Sequence, residues 1–455
     1  MKKIFFVAVL LTIFTYASGQ VIRASLPKVA IKDGDGPLTR YWDHLIPGKR
    51  PVIYQLDKNK PRRKVSFYTD KDSISFWVSP GKEYEFSVLL GGKDICHAVL
   101  NTIIPSYYKD CVPCTITRDS IPFTLGKDDA IHIKGQLNGV DLNLIFDTGA
   151  SLFVLSETGY AKSKASLDGW TENEGSGGFS TERTSSCNHL QLGTMQWKGL
   201  PLVYINYHRS LEADGIVGFN VFEDKIVGID YDRGLLIISG NGIVNKKSYF
   251  PLATRHSNEG TFVEASLTTA SHTGKGWFLF DTGGALTLAI SGDFAEKNNF
   301  YNELKSKGNI NVVGTGPGKN KSKMAMLPGM NLAALSLKNI PVLLGEPNVT
   351  YYGRAGIIGM PVLKRFNTLI DYPHGLVYIK PNKLFGLSFD RTDGNKILFI
   401  AIGIIALIAA FVLYKKVKNV SLFEKQITLF FMILLYSVSL ALVKMSHGLM
   451  LFTLF

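Results

Sequence analysis

The sequence contains one short pattern twice, an apolar run that ends in Asp-Thr-Gly. The first copy spans residues 144–151 and the second spans 278–285, which puts Asp147 and Asp281 134 residues apart. An apolar run of this kind is typical of a buried strand, and Asp-Thr-Gly after it predicts a tight turn in which glycine avoids the cost of a Cβ atom. Each copy would therefore deliver one carboxylate from a buried strand to a turn.

The two patterns belong to a longer internal repeat. Gly-Ile-Val-Gly at 215–218 follows the first copy, and Gly-Ile-Ile-Gly at 356–359 follows the second at an interval seven residues longer. An Ile-Asp-Tyr triplet comes next in each half and contains Asp230 or Asp371, which we interpret as structural residues at turns or strand ends. Two copies are too few for a solenoid, so the repeat predicts a domain of two similar lobes.

These motifs resemble those of the aspartic peptidases, specifically a single chain of the bacterial exported type with two retropepsin-like lobes. The resemblance covers roughly residues 120–380. It implies a mainly β, bilobal pepsin- or retropepsin-like acid protease fold in which Asp147 and Asp281 are the catalytic pair. It also implies that each of the segments 215–218 and 356–359, here called the glycine units, threads beneath a catalytic turn. Two threonines are further implied to lock the turns across the lobe interface. The implied turn-supporting residues are Thr148, Gly149, Thr282 and Gly283.

A glycine-rich segment lies about thirty residues after each aspartate. In retropepsin-like proteins a mobile β-hairpin, the flap, lies at about this distance, and glycines would let it open and close over a substrate. An ordinary surface loop is an equally open interpretation. The flap candidates are Gly177, Gly178, Phe179, Gly314 and Gly316.

Two carboxylates that share one proton can hydrolyse a peptide bond, so neither a cofactor nor a metal is expected. One would take a proton from a bound water while the other protonates the carbonyl oxygen. Pepsin-like enzymes usually carry Ser or Thr after the Asp-Thr-Gly, but here the residues are Ala150 and Gly284. Fewer hydrogen bonds to the charged form leave the pKa values higher, which predicts activity at mildly acidic to near-neutral pH.

Residues 20–118 lie outside the repeat. Alternating apolar and polar residues at 65–69, 74–78 and 84–88 predict a small antiparallel β unit that resembles a sandwich. The basic run at 58–64 is typical of a solvated loop, and the alternative is a prosegment that pairs with the catalytic carboxylates until it is removed. The formal net charge is +13, but no basic run is interleaved with aromatic residues, so we expect no nucleic-acid partner.

Cysteines in an exported chain predict disulfides, although their pairing cannot be deduced from the sequence. A zinc site that joins cysteines to His97 or His189 is the alternative. Neither a His-Glu-x-x-His motif nor the local signature of a serine or cysteine hydrolase is present. The cysteines are Cys96, Cys111, Cys114 and Cys187.

Apolar segments at both ends predict export and a membrane anchor. Residues 1–19 have the basic start, the short apolar segment and the small residues of a signal peptide. The uncharged runs 397–414 and 427–443 contain 18 and 17 residues and are predicted transmembrane helices. The lysine-rich connection 415–426 favours the cytoplasmic side, which leaves the peptidase outside the cytoplasm on the linker 381–396.

The sequence therefore predicts a membrane-anchored aspartic endopeptidase that hydrolyses exported or envelope polypeptides. Lobe one would span residues 119–240 and lobe two residues 241–380. Because both lobes belong to one chain, no obligate dimer is required. The alternative is a catalytically inactive, bilobal peptide-binding or scaffold protein of the cell envelope, since a fold alone does not confer activity.

Overall fold

The computed structural model divides the chain into two compact units, residues 1–103 and 104–455. The predicted signal peptide and the two predicted transmembrane helices with their connection lie outside the described residues. No helix among the described residues is long and apolar enough to cross a membrane. The structure describes residues 20–35, 38–41, 45, 47, 51–58, 60–103, 118–175, 178–207, 211–240, 245–257, 259–313, 319–347 and 354–389.

The N-terminal unit consists of two four-stranded sheets that share one apolar core. Its strands are β1 (Val21–Ala24), β2 (Val29–Asp33), β3 (Leu38–Tyr41), β4 (Val52–Gln55), β5 (Arg63–Tyr68), β6 (Ser73–Val78), β7 (Glu83–Leu90) and β8 (Asp94–Asn101). One sheet has the order β1-β7-β8-β4 and the other β3-β2-β5-β6. Val65 and Phe67 of one sheet and Val88 of the other are fully buried in the shared core, which is the arrangement of a sandwich.

The expectation that this unit is antiparallel is wrong for two of its strand pairs. Strand β1 runs parallel to β7, and β4 runs parallel to β8. The direction of pairing depends on the connection between two strands, so the alternation within either strand carries no signal of it.

The basic run at 58–64 makes specific contacts within the N-terminal unit. Lys60 and Arg63 both form ion pairs with Asp33. The guanidinium of Arg62 lies 5.5 Å from the centre of the exposed Trp77 ring. Three of the basic side chains therefore help to hold this sandwich, and removal of the run as a prosegment stays a prediction.

Cys96 and Cys187 are free thiols, so the expectation of disulfides is wrong for these two residues. Cys96 is fully buried among apolar side chains of the sandwich, and this burial, with the nearby charge of Asp94, raises the pKa of its thiol. Cys111 and Cys114 lie outside the described residues. Within the described ranges, no three His, Cys, Asp or Glu side chains are grouped as a metal ion requires.

The second unit contains the two lobes, and most elements of the first recur in the second. Lobe one contains β9 (Asp119–Leu125), β10 (Ile131–Leu137), β11 (Val140–Asp147), β12 (Phe153–Leu155), α1 (Glu157–Ser163), β13 (Gly169–Gly175), β14 (Gly178–Leu192), β15 (Met195–Tyr204), β16 (Gly215–Gly218), a 3-10 helix (Phe219–Phe222), β17 (Ile226–Asp230) and β18 (Leu235–Ser239). Lobe two contains β19 (Phe250–Leu252), β20 (Thr254–Ser257), β21 (Gly260–Thr268), β22 (Thr273–Phe280), β23 (Leu288–Ile290), α2 (Gly292–Lys297), α3 (Phe300–Glu303), β24 (Gly308–Val313), β25 (Lys319–Leu332), β26 (Leu335–Gly345), β27 (Gly356–Ile358), α4 (Met360–Leu363), β28 (Phe366–Asp371), a 3-10 helix (Tyr372–His374) and β29 (Leu376–Pro381).

In each lobe, the strand that begins the glycine unit lies between the aspartate strand and the strand after the turn. Strand β16 pairs in parallel with β11 and antiparallel with β12, and β27 pairs in the same way with β22 and β23. A Cβ atom on Gly218 would lie 2.6 Å from the carbonyl oxygen of Ala150, and one on Gly359 would lie 2.6 Å from that of Gly284. Only glycine allows so close a passage beneath each turn.

The repeated Ile-Asp-Tyr triplets join the lobes through one sheet. Strand β17 pairs antiparallel with β28, with Ile226 opposite Asp371. The buried Asp371 forms ion pairs with Lys246 at 3.1 Å and His374 at 2.7 Å. Asp230 ends β17 and forms an ion pair with Arg233 at 2.7 Å. Both aspartates therefore lie at strand ends of the interlobe sheet, away from the Asp-Thr-Gly turns.

The first part of the predicted linker 381–396 packs against lobe two. The guanidinium of Arg365 donates hydrogen bonds to the carbonyl oxygens of Leu384 and Ser388, at 2.8 Å and 3.0 Å, and lies 3.8 Å from the centre of the Phe389 ring. Residues 382–389 are therefore held to the lobe and do not act as a free spacer.

We expect Gly359→Ala to lower the free energy of unfolding by about 1–3 kcal/mol, because its Cβ atom would overlap the carbonyl oxygens of Leu286 and Gly284. Urea unfolding followed by tryptophan fluorescence measures the change. The matched control is Gly386→Ala, whose Cβ atom meets nothing within 4 Å and should change stability by less than about 0.5 kcal/mol. Equal losses in the two variants would contradict this account of the glycine unit.

Candidate active site

The two repeated aspartates lie at equivalent positions in the two lobes. Asp147 is the last residue of β11, and Asp281 directly follows β22. The preceding phenylalanines, Phe146 and Phe280, are buried in the core and fix the ends of both strands. Side chains alternate along a strand, so each aspartate points to the opposite face from its buried phenylalanine and keeps some surface exposed.

Thr148 and Thr282 form a set of crossed hydrogen bonds between the lobes. The Thr148 hydroxyl donates to the carbonyl oxygen of Phe280 at 2.5 Å and accepts from the backbone N–H of Thr282 at 3.0 Å. The Thr282 hydroxyl donates to the carbonyl oxygen of Phe146 at 3.1 Å and accepts from the backbone N–H of Thr148 at 2.9 Å. Both threonines are completely buried, so water cannot replace these bonds.

The crossed bonds bring the two carboxyl groups into contact with each other and with the opposite turn. The N–H of Gly283 donates to Oδ1 of both aspartates, at 3.1 Å to Asp147 and 2.9 Å to Asp281, so the two carboxyl groups lie side by side. A Cβ atom on Gly149 would lie 2.5 Å from Asp281 Oδ1, and one on Gly283 would overlap the Asp147 carboxylate. Neither glycine has a positive φ angle. The space occupied by the opposite carboxylate, rather than turn geometry, therefore requires glycine at both positions.

Backbone donors are distributed unequally over the two carboxyl groups. Asp147 Oδ1 accepts hydrogen bonds from the N–H groups of Gly149, Gly283 and Ala150 at 2.7, 3.1 and 3.3 Å. Asp281 Oδ1 accepts from Gly283 at 2.9 Å, whereas the N–H of Gly284 donates at 3.4 Å to the backbone carbonyl oxygen of Asp281. Asp147 therefore has the stronger set of donors for a negative charge.

The surroundings raise the pKa of both carboxyl groups. Desolvation by the surrounding protein is the main cause for Asp147, and its three backbone hydrogen bonds oppose the rise. Desolvation also dominates at Asp281, where the negative charge of Asp147 adds to it and holds the pKa well above its ordinary value. The pair therefore binds one proton far more firmly than an isolated carboxylate, and that proton is favoured on Asp281.

Two of the five predicted flap residues lie in a strand of a long β-hairpin in lobe one, and the other three lie outside the described residues. Gly178 begins β14 opposite Gly175, and Phe179 pairs with Glu174 on β13. Gly177 lies outside the described residues. Gly314 and Gly316 also lie outside them, between β24 and β25, which pair from Gly308 to Val313. Both glycine-rich segments thus join the strands of a hairpin, and their movement over a substrate stays a prediction.

Three residues close to the Asp147 turn were not predicted to belong to the site, although Tyr372 is part of the second Ile-Asp-Tyr triplet. His256 and Glu223 form a buried pair across the lobe interface, and Tyr372, whose pKa is raised mainly by burial, also senses the charges of Glu223 and Asp147. The internal repeat contains one sequence signal that marks Glu223 as a residue with a specific partner. Glu223 and Lys364 both lie five residues after the last glycine of their glycine unit, and both are charged.

We expect Thr148→Val to destabilise the second unit by about 2–4 kcal/mol, because it keeps the shape of the side chain but leaves the Phe280 carbonyl and the Thr282 N–H unpaired. Denaturant unfolding measures this loss. Thr273→Val, at an exposed position on β22, is the matched control and should stay within about 0.5 kcal/mol of the wild type. A loss at Thr148 no larger than in the control would show that the crossed bonds are dispensable.

The chain is similar to known proteins in two comparisons. Residues 133–221 match the family model described as aspartyl protease, a segment that includes Asp147 and the first glycine unit. Among solved structures, the chain is similar to an aspartic proteinase from Irpex lacteus, with 12% identity, a TM-score of 0.42, and coverage of 60% of this chain and 100% of that one. No curated protein matches the chain. The family match confirms the predicted resemblance to aspartic peptidases.

Proposed function

We propose that the protein is a membrane-anchored aspartic endopeptidase in which Asp147 and Asp281 activate a water molecule. The observation that carries the proposal is the contact between the two carboxyl groups, held by the crossed Thr148 and Thr282 hydrogen bonds. Two unrelated aspartates at a lobe interface would repel one another and separate, so their enforced contact in a partly exposed position supports a chemical role.

The unequal surroundings of the pair support a specific division of labour. Asp147, with three backbone donors, carries the negative charge and takes a proton from the attacking water. Asp281, whose pKa is held well above its ordinary value, carries the shared proton and donates it to the carbonyl oxygen of the substrate. The product is a neutral tetrahedral intermediate, and the proton taken from water then passes to the leaving amine.

The apolar residues on the strands next to the aspartates favour a substrate with apolar side chains on both sides of the cleaved bond. Ile145 is two residues before Asp147 and so lies on the same face of β11. In lobe one, a row of paired apolar residues crosses the sheet at this level: Ile145, Ile216, Val154 and Val203. In lobe two, the equivalent row begins two residues before Asp281: Leu279, Ile357, Ala289 and Leu343.

The location of the protein is part of the proposal. Residues 1–19 have the composition of a signal peptide, and residues 397–414 and 427–443 are long enough to cross a bilayer as helices. A peptidase held outside the cytoplasm by such an anchor would meet exported or envelope polypeptides first. Labelling of the folded domain by a membrane-impermeant reagent on intact cells tests this orientation.

The decisive experiment is digestion of a mixed peptide library by the purified, detergent-solubilised chain. We expect cleavage between apolar residues, inhibition by a statine-type transition-state mimic, and a rate maximum at mildly acidic to near-neutral pH. Asp147→Asn and Asp281→Asn should each lower kcat/KM by about 100- to 10,000-fold, because each removes one proton-transfer group.

Asp230→Asn is the matched control for this digestion, because it changes an aspartate of the interlobe sheet that lies outside the pair. It should retain near wild-type cleavage. Undiminished cleavage in Asp147→Asn or Asp281→Asn would remove that residue from the mechanism. The absence of cleavage by a folded wild-type chain would favour the inactive peptide-binding alternative, and a rate maximum below about pH 3 would contradict the raised pKa values.

The stability of the fold should also depend on pH through the carboxyl groups of Asp147 and Asp281. A carboxyl group whose pKa is raised on folding stabilises the fold below its unfolded pKa, and this contribution is lost as the pH rises. The wild type should therefore lose stability between pH 4 and pH 7 relative to Asp281→Asn, by on the order of 1 kcal/mol for each unit by which the pKa is raised. Thermal unfolding at both pH values measures this, and a constant difference would contradict the raised pKa of Asp281.

A further inference from the structure

A buried pair of side chains joins the lobes near the turn that carries Asp147. Glu223 directly follows the 3-10 helix of lobe one, His256 lies on β20 of lobe two, and Glu223 Oε1 is 2.9 Å from His256 Nε2. The two side chains are only 13% and 7% exposed. The other ring nitrogen, Nδ1, lies 2.9 Å from the Thr261 hydroxyl, so both nitrogens have partners and the ring is fixed in orientation.

The His256 ring supports a residue that is bonded to the catalytic turn. It packs edge-on against the rings of Phe219 and Tyr372, at centroid distances of 5.4 and 5.5 Å. The backbone N–H of Phe219 donates to the carbonyl oxygen of Ala150 at 2.9 Å. A displacement of the His256 ring would therefore be transmitted to the Asp147 turn through one residue, Phe219.

A second pair of side chains joins the lobes at the equivalent positions with the two lobes exchanged, and it consists of a lysine and an aspartate. Lys364 follows α4 as Glu223 follows the 3-10 helix, and its Nζ atom lies 2.7 Å from Asp129 Oδ2 in the turn between β9 and β10. Each pair thus joins the end of a short helix in one lobe to the hairpin that precedes the aspartate strand in the other.

The two pairs differ in how they respond to pH. Lysine and aspartate ordinarily carry their charges throughout the interval in which histidine changes its own. The pair of Lys364 and Asp129 is therefore a constant contact. The pair of His256 and Glu223 is a full ion pair only when the imidazole is protonated, and otherwise it is a weaker, neutral-donor hydrogen bond.

We propose that His256 is a positioning residue that makes the support of the Asp147 turn depend on pH and strengthens it under mildly acidic conditions. The groups that face its ring are the Glu223 carboxylate, the Thr261 hydroxyl, and the rings of Phe219 and Tyr372. Burial keeps Tyr372 neutral by raising its pKa well above the ordinary value, so Glu223 is the charge that His256 meets. The effect on catalysis rests on the proposed function, but the pairing does not.

A double-mutant cycle tests the pairing without reference to catalysis. The cycle combines His256→Gln and Glu223→Gln in an Asp147→Asn/Asp281→Asn background, which removes the titration of the catalytic pair. We expect the cycle to show a coupling of about 2–4 °C in Tm at pH 5.5 and less than about 1 °C at pH 8. If His256→Gln does not fold, Glu223→Gln alone must lower Tm more at pH 5.5 than at pH 8.

The matched control is the same cycle with Asp129→Asn and Lys364→Gln. This pair should show the same coupling at both pH values, because lysine and aspartate ordinarily keep their charges in that interval. An equal coupling of His256 and Glu223 at the two pH values, or none at either, would overturn the proposal.

A kinetic experiment then tests the effect on the catalytic turn. Glu223→Gln should lower kcat several-fold at pH 5.5 with little change in KM, and should have a smaller effect at pH 8. Asp129→Asn should lower kcat equally at both. An equal kcat loss for Glu223→Gln at both pH values would overturn the positioning role. If no peptide is cleaved at any pH, the proposed function fails, while the Tm cycle still decides whether the pair responds to pH.

Discussion

The structure depends on holding two carboxyl groups side by side although their negative charges repel. The force that opposes this repulsion is a closed set of four hydrogen bonds between Thr148 and Thr282, each bond crossing from one lobe to the other. Each threonine contributes a hydroxyl and a backbone N–H, so a shift of either turn breaks several bonds together. Each bond contributes about 1 kcal/mol when made and costs more when left unmade in a buried position. The glycines at 149 and 283 complete the arrangement, because they leave room for the opposite carboxylate.

Much of this arrangement could be predicted from the sequence because its signals are local and occur twice. The apolar runs before Asp147 and Asp281 are the buried aspartate strands, and the glycine units pair with these strands as the family resemblance implied. The reason for glycine at 149 and 283 could not be predicted, since it depends on an atom 132 or 136 residues away that packs against it. The parallel strand pairs of the N-terminal unit were hidden for a similar reason: alternation shows which face of a strand is buried, but not the direction of its neighbour.

The contact between His256 and Glu223 shows another limit of sequence reasoning. A lone histidine on a short strand has no pattern, and its partner lies 33 residues earlier in the other lobe. What the sequence does carry is the equal offset of Glu223 and Lys364 from their glycine units, which marks two equivalent positions with opposite charge. In an internal repeat, a position that differs in charge between the copies indicates where the copies have taken different partners. The structure supplies those partners, His256 and Asp129, from opposite lobes.

A single chain with two lobes can hold asymmetries that two identical subunits cannot. In a symmetric pair of subunits, both aspartates would have the same backbone donors, and the shared proton would have no preferred side. Here Asp147 receives three N–H donors at its Oδ1 atom, while Asp281 lies beside Gly284, where lobe one has Ala150. The proton is therefore favoured on Asp281 before any substrate binds. The same freedom allows one interlobe pair to be constant and the other to respond to pH, so that fusion of the two halves lets the chain tune the surroundings of each aspartate separately.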